Sequence, residues 1–284
     1  MIVVTGATGK LGQHVIHELL KTVPSAEIVA AVRNVAKAAE FAALGVQVRE
    51  ADYAKPETLK AALAGAKKVL LISGNEVGQR VAQHKAVIDA SVAAGTKLIA
   101  YTSILRADTS KLLLAKEHLA TEEILLGAGV PYAFLRNGWY LENYTESLAP
   151  ALEHGAILGA SGEGRFAAAS RQDYAAAAAA VLTGDGHENK VYELAGDTSF
   201  SRAELAAIVS RVSGKTVVYK DLSEAEYAGA LASFGLPAEL AKILADSDAG
   251  AAKGELDTKS RDLHTLIGRD TTTLTQAVEA ALAK

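Results

Sequence analysis

Thr5-Gly6-Ala7-Thr8-Gly9-Lys10-Leu11-Gly12 follows directly on the apolar run Ile2-Val3-Val4, and its reading decides how the rest of the chain is organised. The apolar run has the make-up of a buried strand. Beyond it, Leu11, Val15, Ile16, Leu19 and Leu20 recur at helical spacing, so the stretch reads as strand, tight turn and helix. Glycines at positions 6, 9 and 12 let the backbone turn sharply, admit a ligand where a Cβ would stand, and let the helix pack on its strand. A helix opening near Lys10 aims unpaired amides and its positive dipole end at the turn, which suits a pyrophosphate. Gly6, Ala7, Thr8, Gly9, Lys10 and Leu11 are therefore candidate contacts for a dinucleotide. The spacing is G-x-x-G-x-x-G instead of the usual G-x-G-x-x-G, so the flanking strand and helix carry the assignment.

Working outward, residues 27–32 read as a second strand that ends on Arg33. In a fold of this kind the residue leaving strand two faces the adenosine ribose, where an acidic group would bind the 2′-hydroxyl of NAD. A guanidinium pairs instead with a 2′-phosphate, so Arg33 points to NADPH, and Lys37 adds a second positive charge. Strand 46–49 leads to Asp52, near the expected adenine position. The continuous apolar run Val69-Leu70-Leu71-Ile72 is a strand covered on both faces, and it empties into Ser73-Gly74-Asn75. Ligands in open α/β sheets sit outside the carboxyl ends of strands, so this loop is a further cofactor contact. A helix over 78–94, in which His84 is given no role, precedes strand five over 97–103.

The whole describes an α/β chain: a Rossmann-type doubly wound parallel sheet with a smaller C-terminal α/β lobe. Residues 1–150 form the dinucleotide-binding domain, with sheet additions from about 166–196. Residues 151–284 mainly form the smaller lobe, interleaved with the first, covering the substrate. Helices are expected over 223–234, 237–244 and 273–283, and a mobile loop over 246–256.

Composition agrees. Half of the 284 residues are hydrophobic and only 5% aromatic, as in a helix-covered parallel sheet. A net charge of −4 without a basic cluster disfavours nucleic acid as a partner. The absence of cysteine excludes disulfides, a thiolate nucleophile and cysteine-based zinc sites, and no other metal constellation is found. No apolar stretch has the length of a membrane span, and the chain opens on a core strand, so a cytoplasmic location is expected. A homo-oligomer is left open.

Residues 1–12, Val32-Arg33-Asn34, residues 99–103, Leu135-Arg136-Asn137-Gly138-Trp139-Tyr140 and residues 186–194 together resemble the NmrA-like atypical short-chain dehydrogenases/reductases. Over essentially the whole chain the likeness is greatest to the bacterial NAD(P)H:quinone oxidoreductase type, with triphenylmethane reductase a close relative. The resemblance implies that Asn137, Gly138, Trp139, Tyr140, Leu141 and Glu142, leaving strand six, contact the nicotinamide half of NADPH. It implies that Ser170 and Arg171 are lesser contacts in the cleft. Typical members of the wider superfamily carry a Tyr-x-x-x-Lys pair after strand five; here Leu114 stands for the Tyr and His118 for the Lys.

The usual proton donor is thus missing. Ketone reduction produces a strongly basic alkoxide that needs such a donor. Hydride addition to a quinone gives a phenolate-like anion, with a pKa near the roughly 10 of tyrosine, and a cationic triarylmethane dye needs no proton at all. The expected function is an NADPH-dependent reductase transferring hydride to small quinone-like, electron-poor acceptors, assisted by His118, Tyr140 or Tyr144. The alternatives are a non-catalytic NADP-binding regulator and a ketone or dye reductase. Lys116, Glu117, Glu122 and Glu123 read as a solvated helix face.

Overall fold

A computed structural model describes residues 1–283. Its first half alternates β1 (Ile2–Thr5), α1 (Lys10–Leu19), β2 (Ile28–Val32), α2 (Ala39–Ala43), β3 (Gln47–Glu50), α3 (Pro56–Ala62), β4 (Lys68–Leu71), α4 (Arg80–Ala93), β5 (Leu98–Ile104), α5 (Ala115–Gly127) and β6 (Tyr132–Asn137). Then follow α6 (Glu142–Thr145), α7 (Leu148–His154), β7 (Ala156–Gly159), β8 (Arg165–Phe166), α8 (Arg171–Thr183) and β9 (Lys190–Leu194). The chain closes with β10 (Phe200–Ser201), α9 (Arg202–Ser213), β11 (Val218–Asp221), α10 (Glu224–Ser233), α11 (Ala238–Ala251), α12 (Asp262–Ile267) and α13 (Leu274–Leu282).

Seven parallel strands lie in the order β3-β2-β1-β4-β5-β6-β9. The register sets up two apolar rows. Ala30, Val4, Leu70, Ala100 and Ala133 line up on one face, under α1 and α8. Val29, Val3, Val69 and Ile99 line up on the other, under α3, α4 and α5. Side chains alternate faces along a strand, so a run such as Val69-Leu70-Leu71 is apolar throughout because both faces are covered. Full burial of each such side chain contributes about 1.5–3 kcal/mol. The alanine run of α8 lets that helix lie close to both α1 and the sheet: Ala175, Ala177 and Ala178 are all buried there.

Beyond the sheet, β7 pairs with β11 and β8 with β10, and a second core gathers Leu148, Ile157, Phe166, Phe200, Leu205, Val209 and Val278. Two readings need correction. The segment expected to be a mobile loop is helical through Ala251, because Asp248 is buried against Arg202 and Asp246 accepts the Leu113 N–H at 2.8 Å. The helix face read as solvated is partly internal. Glu122 is buried against Arg136, 2.7 Å away, and Glu117 pairs with the buried Arg80 at 3.2 Å. No helix of the described residues is long and apolar enough to cross a membrane.

Candidate active site

The strand order reverses between β1 and β4, and a cleft opens there outside the carboxyl ends of the strands. At its floor Gly6 adopts a left-handed φ of +61°, and Gly9 N–H closes the turn on Gly6 O at 2.9 Å. A Cβ on Gly12 would stand 2.4 Å from Gly6 O and 2.7 Å from Ala7 Cα, so only glycine lets α1 start this close to the turn. No side chain caps that helix start, which leaves its first amides free for an anion.

Around the turn lies a cavity of about 680 Å³. Of the residues named from sequence, Gly6, Thr8, Gly9, Lys10, Leu11, Arg33, Ser73, Gly74, Asn75, His118, Asn137, Gly138, Trp139, Tyr140 and Arg171 border it. Five do not. Ala7 is fully buried beneath the turn, and Leu141 packs into the C-terminal core. Ser170 accepts the Asp173 N–H as the N-cap of α8, while the Glu142 carboxylate accepts the Arg171 N–H at 3.0 Å. Tyr144, placed on the cleft wall from sequence, is instead held between Phe166 and Phe200, with ring centroids 5.2 and 5.3 Å away. Its helical turn points it into the apolar core.

The loop after β4 is pinned from below. Ser73 N–H donates to Thr102 Oγ1 at 2.8 Å, Gly74 N–H donates to His84 Nε2 at 2.9 Å, and Arg80 Nε donates to Gly74 O at 2.7 Å. His84, given no role from sequence, is fully buried. Burial, with Arg80 beside it, pushes its imidazole down to about 3, so Nε2 keeps the lone pair that Gly74 needs. The other ring nitrogen lies 3.0 Å from Thr121 Oγ1.

At the far end of the cavity, past β5 and β6, the apolar Ile104, Leu114, Trp139 and Leu244 share the lining with the polar Ser103, Asn137 and Asn143. His118 Nδ1 lies 2.8 Å from the hydroxyl of the buried Tyr101. Burial, then Arg80 and His84, holds His118 well below its ordinary value, while burial keeps Tyr101 protonated. The other ring nitrogen, Nε2, has no hydrogen-bond partner among the described residues, so it is the atom of His118 left for a ligand. Asn137 Oδ1 is also buried without a partner at this wall. The Arg171 guanidinium lies over the Tyr140 ring, 4.8 Å from its centroid, and burial raises the Tyr140 phenol so that it stays protonated.

A model of the NmrA-like family matches residues 1–274. The chain belongs to the NmrA-like family. Quinone oxidoreductase 2 of Escherichia coli (strain K12) is 57% identical over 278 residues, covering 98% of this chain and 97% of that protein. The crystal structure of the E. coli NADPH-dependent quinone oxidoreductase complexed with NADPH superposes with a TM-score of 0.97 at 56% identity, covering all of both chains. That of Citrobacter sp. triphenylmethane reductase complexed with NADP(H) gives 0.95 at 44%, covering 99% of this chain and all of the other.

In this NmrA-like chain several cavity residues carried no sequence assignment. Tyr53, Glu76, Arg80 and Gln83 could have been found, because they follow the carboxyl ends of β3 and β4, where ligands bind. Leu244 comes from α11 and is brought in by tertiary packing alone. The fold also brings Asp197, His264 and Asp270 together away from the cavity, where no metal constellation was read from sequence. The carboxylate of Asp197 is already taken up there by Arg261 and the Thr271 N–H.

Proposed function

We propose that this chain is an NADPH-dependent oxidoreductase that reduces quinones. The residues fit the cofactor: the turn needs the positive φ of Gly6 and would collide with a Cβ on Gly12, Lys10 and the bare helix start suit the pyrophosphate, and Arg33 and Lys37 suit the 2′-phosphate. Bound NADPH supplies the hydride. The protein positions the acceptor against it, between the sheet edge and Leu244 of α11, and Leu114, Trp139 and Ile104 exclude water there.

The observation that carries the reading is Leu114 on the cavity wall one helical turn before His118. An apolar side chain stands where ketone reduction needs a phenol. Transfer of a hydride to a quinone leaves the negative charge on an aromatic oxygen of roughly pKa 10. In the tautomer that carries its proton on Nε2, the neutral His118 donates a hydrogen bond to that oxygen while Nδ1 accepts from the Tyr101 hydroxyl. Asn137, whose buried Oδ1 has no protein partner, would accept a hydrogen bond from the cofactor's carboxamide.

Loss of NADPH absorbance with a panel of quinones tests this. Turnover of at least one is expected, with little or none of simple ketones. Tight NADPH binding without consumption on any quinone would refute it and favour a non-catalytic regulator.

A further inference from the structure

Arg33 and Glu76 leave the carboxyl ends of β2 and β4, the two strands that flank β1 and its glycine turn. They meet across that turn, with Nη1 2.8 Å from Oε1. The other oxygen of Glu76 accepts from Gln83 Nε2 at 2.8 Å, so the carboxylate is held at both ends. All three residues border the cavity at the place where the ribose of a dinucleotide lies in this fold.

We propose that Glu76 is a specificity-determining residue of the cofactor site: its carboxylate occupies Arg33 in place of the 2′-phosphate and is displaced when the phosphate arrives. This rests on the reading of the cleft as an NADPH site. Glu76 takes Nη1 of the guanidinium and offsets its charge, so carboxylate and phosphate compete for that donor and for the field around it. Lys37 makes no ion pair among the described residues, so Glu76 halves the positive charge of this corner. A dianionic phosphate is sensitive to that loss. A 2′-hydroxyl is not, and it can donate to the Glu76 oxygen. Glu76 therefore narrows the margin by which Arg33 prefers NADPH to NADH.

Displacement falls to the side chain, because the loop cannot swing away as a unit. Gly74 is tied to His84 and Arg80, and Gly78 N–H donates to Glu117 Oε1 at 2.8 Å. Both Arg33 and Glu76 are exposed, with 67% and 46% of the side chain accessible, so exchange of partners costs no burial of charge.

Calorimetric titration with adenosine 2′,5′-bisphosphate and with 5′-AMP tests the proposal without any quinone. Glu76→Gln should tighten the bisphosphate about three- to fivefold and leave 5′-AMP within about twofold. The gain should vanish when Arg33→Ala is added, and the ratio of KM for NADPH and NADH should move by the same factor. Equal changes for both fragments, no change, or a gain that persists without Arg33 would overturn the role of Glu76. Failure of both fragments to bind the wild-type protein would instead refute the NADPH reading beneath it.

Discussion

At the end of the cavity proposed for the adenosine, the lining groups are long, charged and exposed, Arg33 and Glu76 foremost. At the acceptor end, Leu114, His118 and Tyr101 are withdrawn from solvent and carry no charge. The first end recognises by charge, with partners exchanged in water and each pair worth little on its own. The second works by shape and by fixed neutral hydrogen bonds in a low-dielectric setting, where a single misplaced proton is expensive. Discrimination between cofactors should therefore follow the charge of these exposed groups, with little effect of their substitution on stability. The acceptor end should be sensitive to acid.

The largest effect is expected from pH. His84 and His118 both have folded pKa values below the ordinary 6.5, His84 at about 3. Below pH 6.5 the unfolded chain therefore binds more protons than the folded one. Stability is complete above that pH and falls as the pH drops towards the folded values, by about 1.4 kcal/mol per pH unit for each imidazole. Between pH 6.5 and 4.5 His84 alone removes about 2–3 kcal/mol, and His118 adds to the loss in the same direction, a sizeable share of a typical domain's stability. Urea unfolding across this range checks it. His118→Gln should flatten the slope by one proton, and an unchanged slope would show that the imidazole is solvated and that the two ends are less different than described.

Next in size is the charge reversal at the opposite end. Arg33→Asp removes the cation proposed to receive the 2′-phosphate and puts in its place a carboxylate suited to the 2′-hydroxyl. Preference should shift towards NADH by about ten- to a hundredfold, corresponding to a charge-assisted hydrogen bond of about 1.5–3 kcal/mol. The ratio of kcat/KM for the two cofactors measures this, and an unaltered ratio would remove Arg33 from the site. Stability should barely change, because the side chain is two-thirds exposed.

The same contrast explains what could be read from the residues. The glycine-turn end of the cavity is assembled from short stretches at strand ends, so local pattern was enough to set Gly6, Gly9, Arg33 and Ser73 on its border one at a time. The parallel sheet was legible for the same reason, since a doubly covered strand such as β4 is apolar at every position. The acceptor end depends on partners far apart in sequence. His84 looked idle until the fold set it against Gly74, and Glu122 looked solvated until Arg136 met it. Tyr144 was assigned to the cleft because it follows β6, but the turn at α6 carries it to the aromatic core with Phe166 and Phe200. Asp248 gave a loop-like composition to a stretch that its pairing with Arg202 holds in a helix.

The smallest effect, and the sharpest on the chemistry, is expected at His118. A neutral donor on a phenolate-like oxygen has a net worth of about 0.5–1.5 kcal/mol, so His118→Ala should lower kcat on quinones about two- to tenfold. The dissociation constant for NADPH should stay within about twofold, since the glycine turn and Arg33 lie at the other end. His118→Gln keeps an N–H donor and should recover part of the loss, which a purely structural role would not explain. A fall of several thousandfold would be the signature of an obligate proton donor, and it would mean that the anion formed here is far more basic than a quinone gives. A modest fall fits the wall as built: Leu114 offers no proton, and an acceptor that spreads its new charge over an aromatic ring asks for little more than one hydrogen bond.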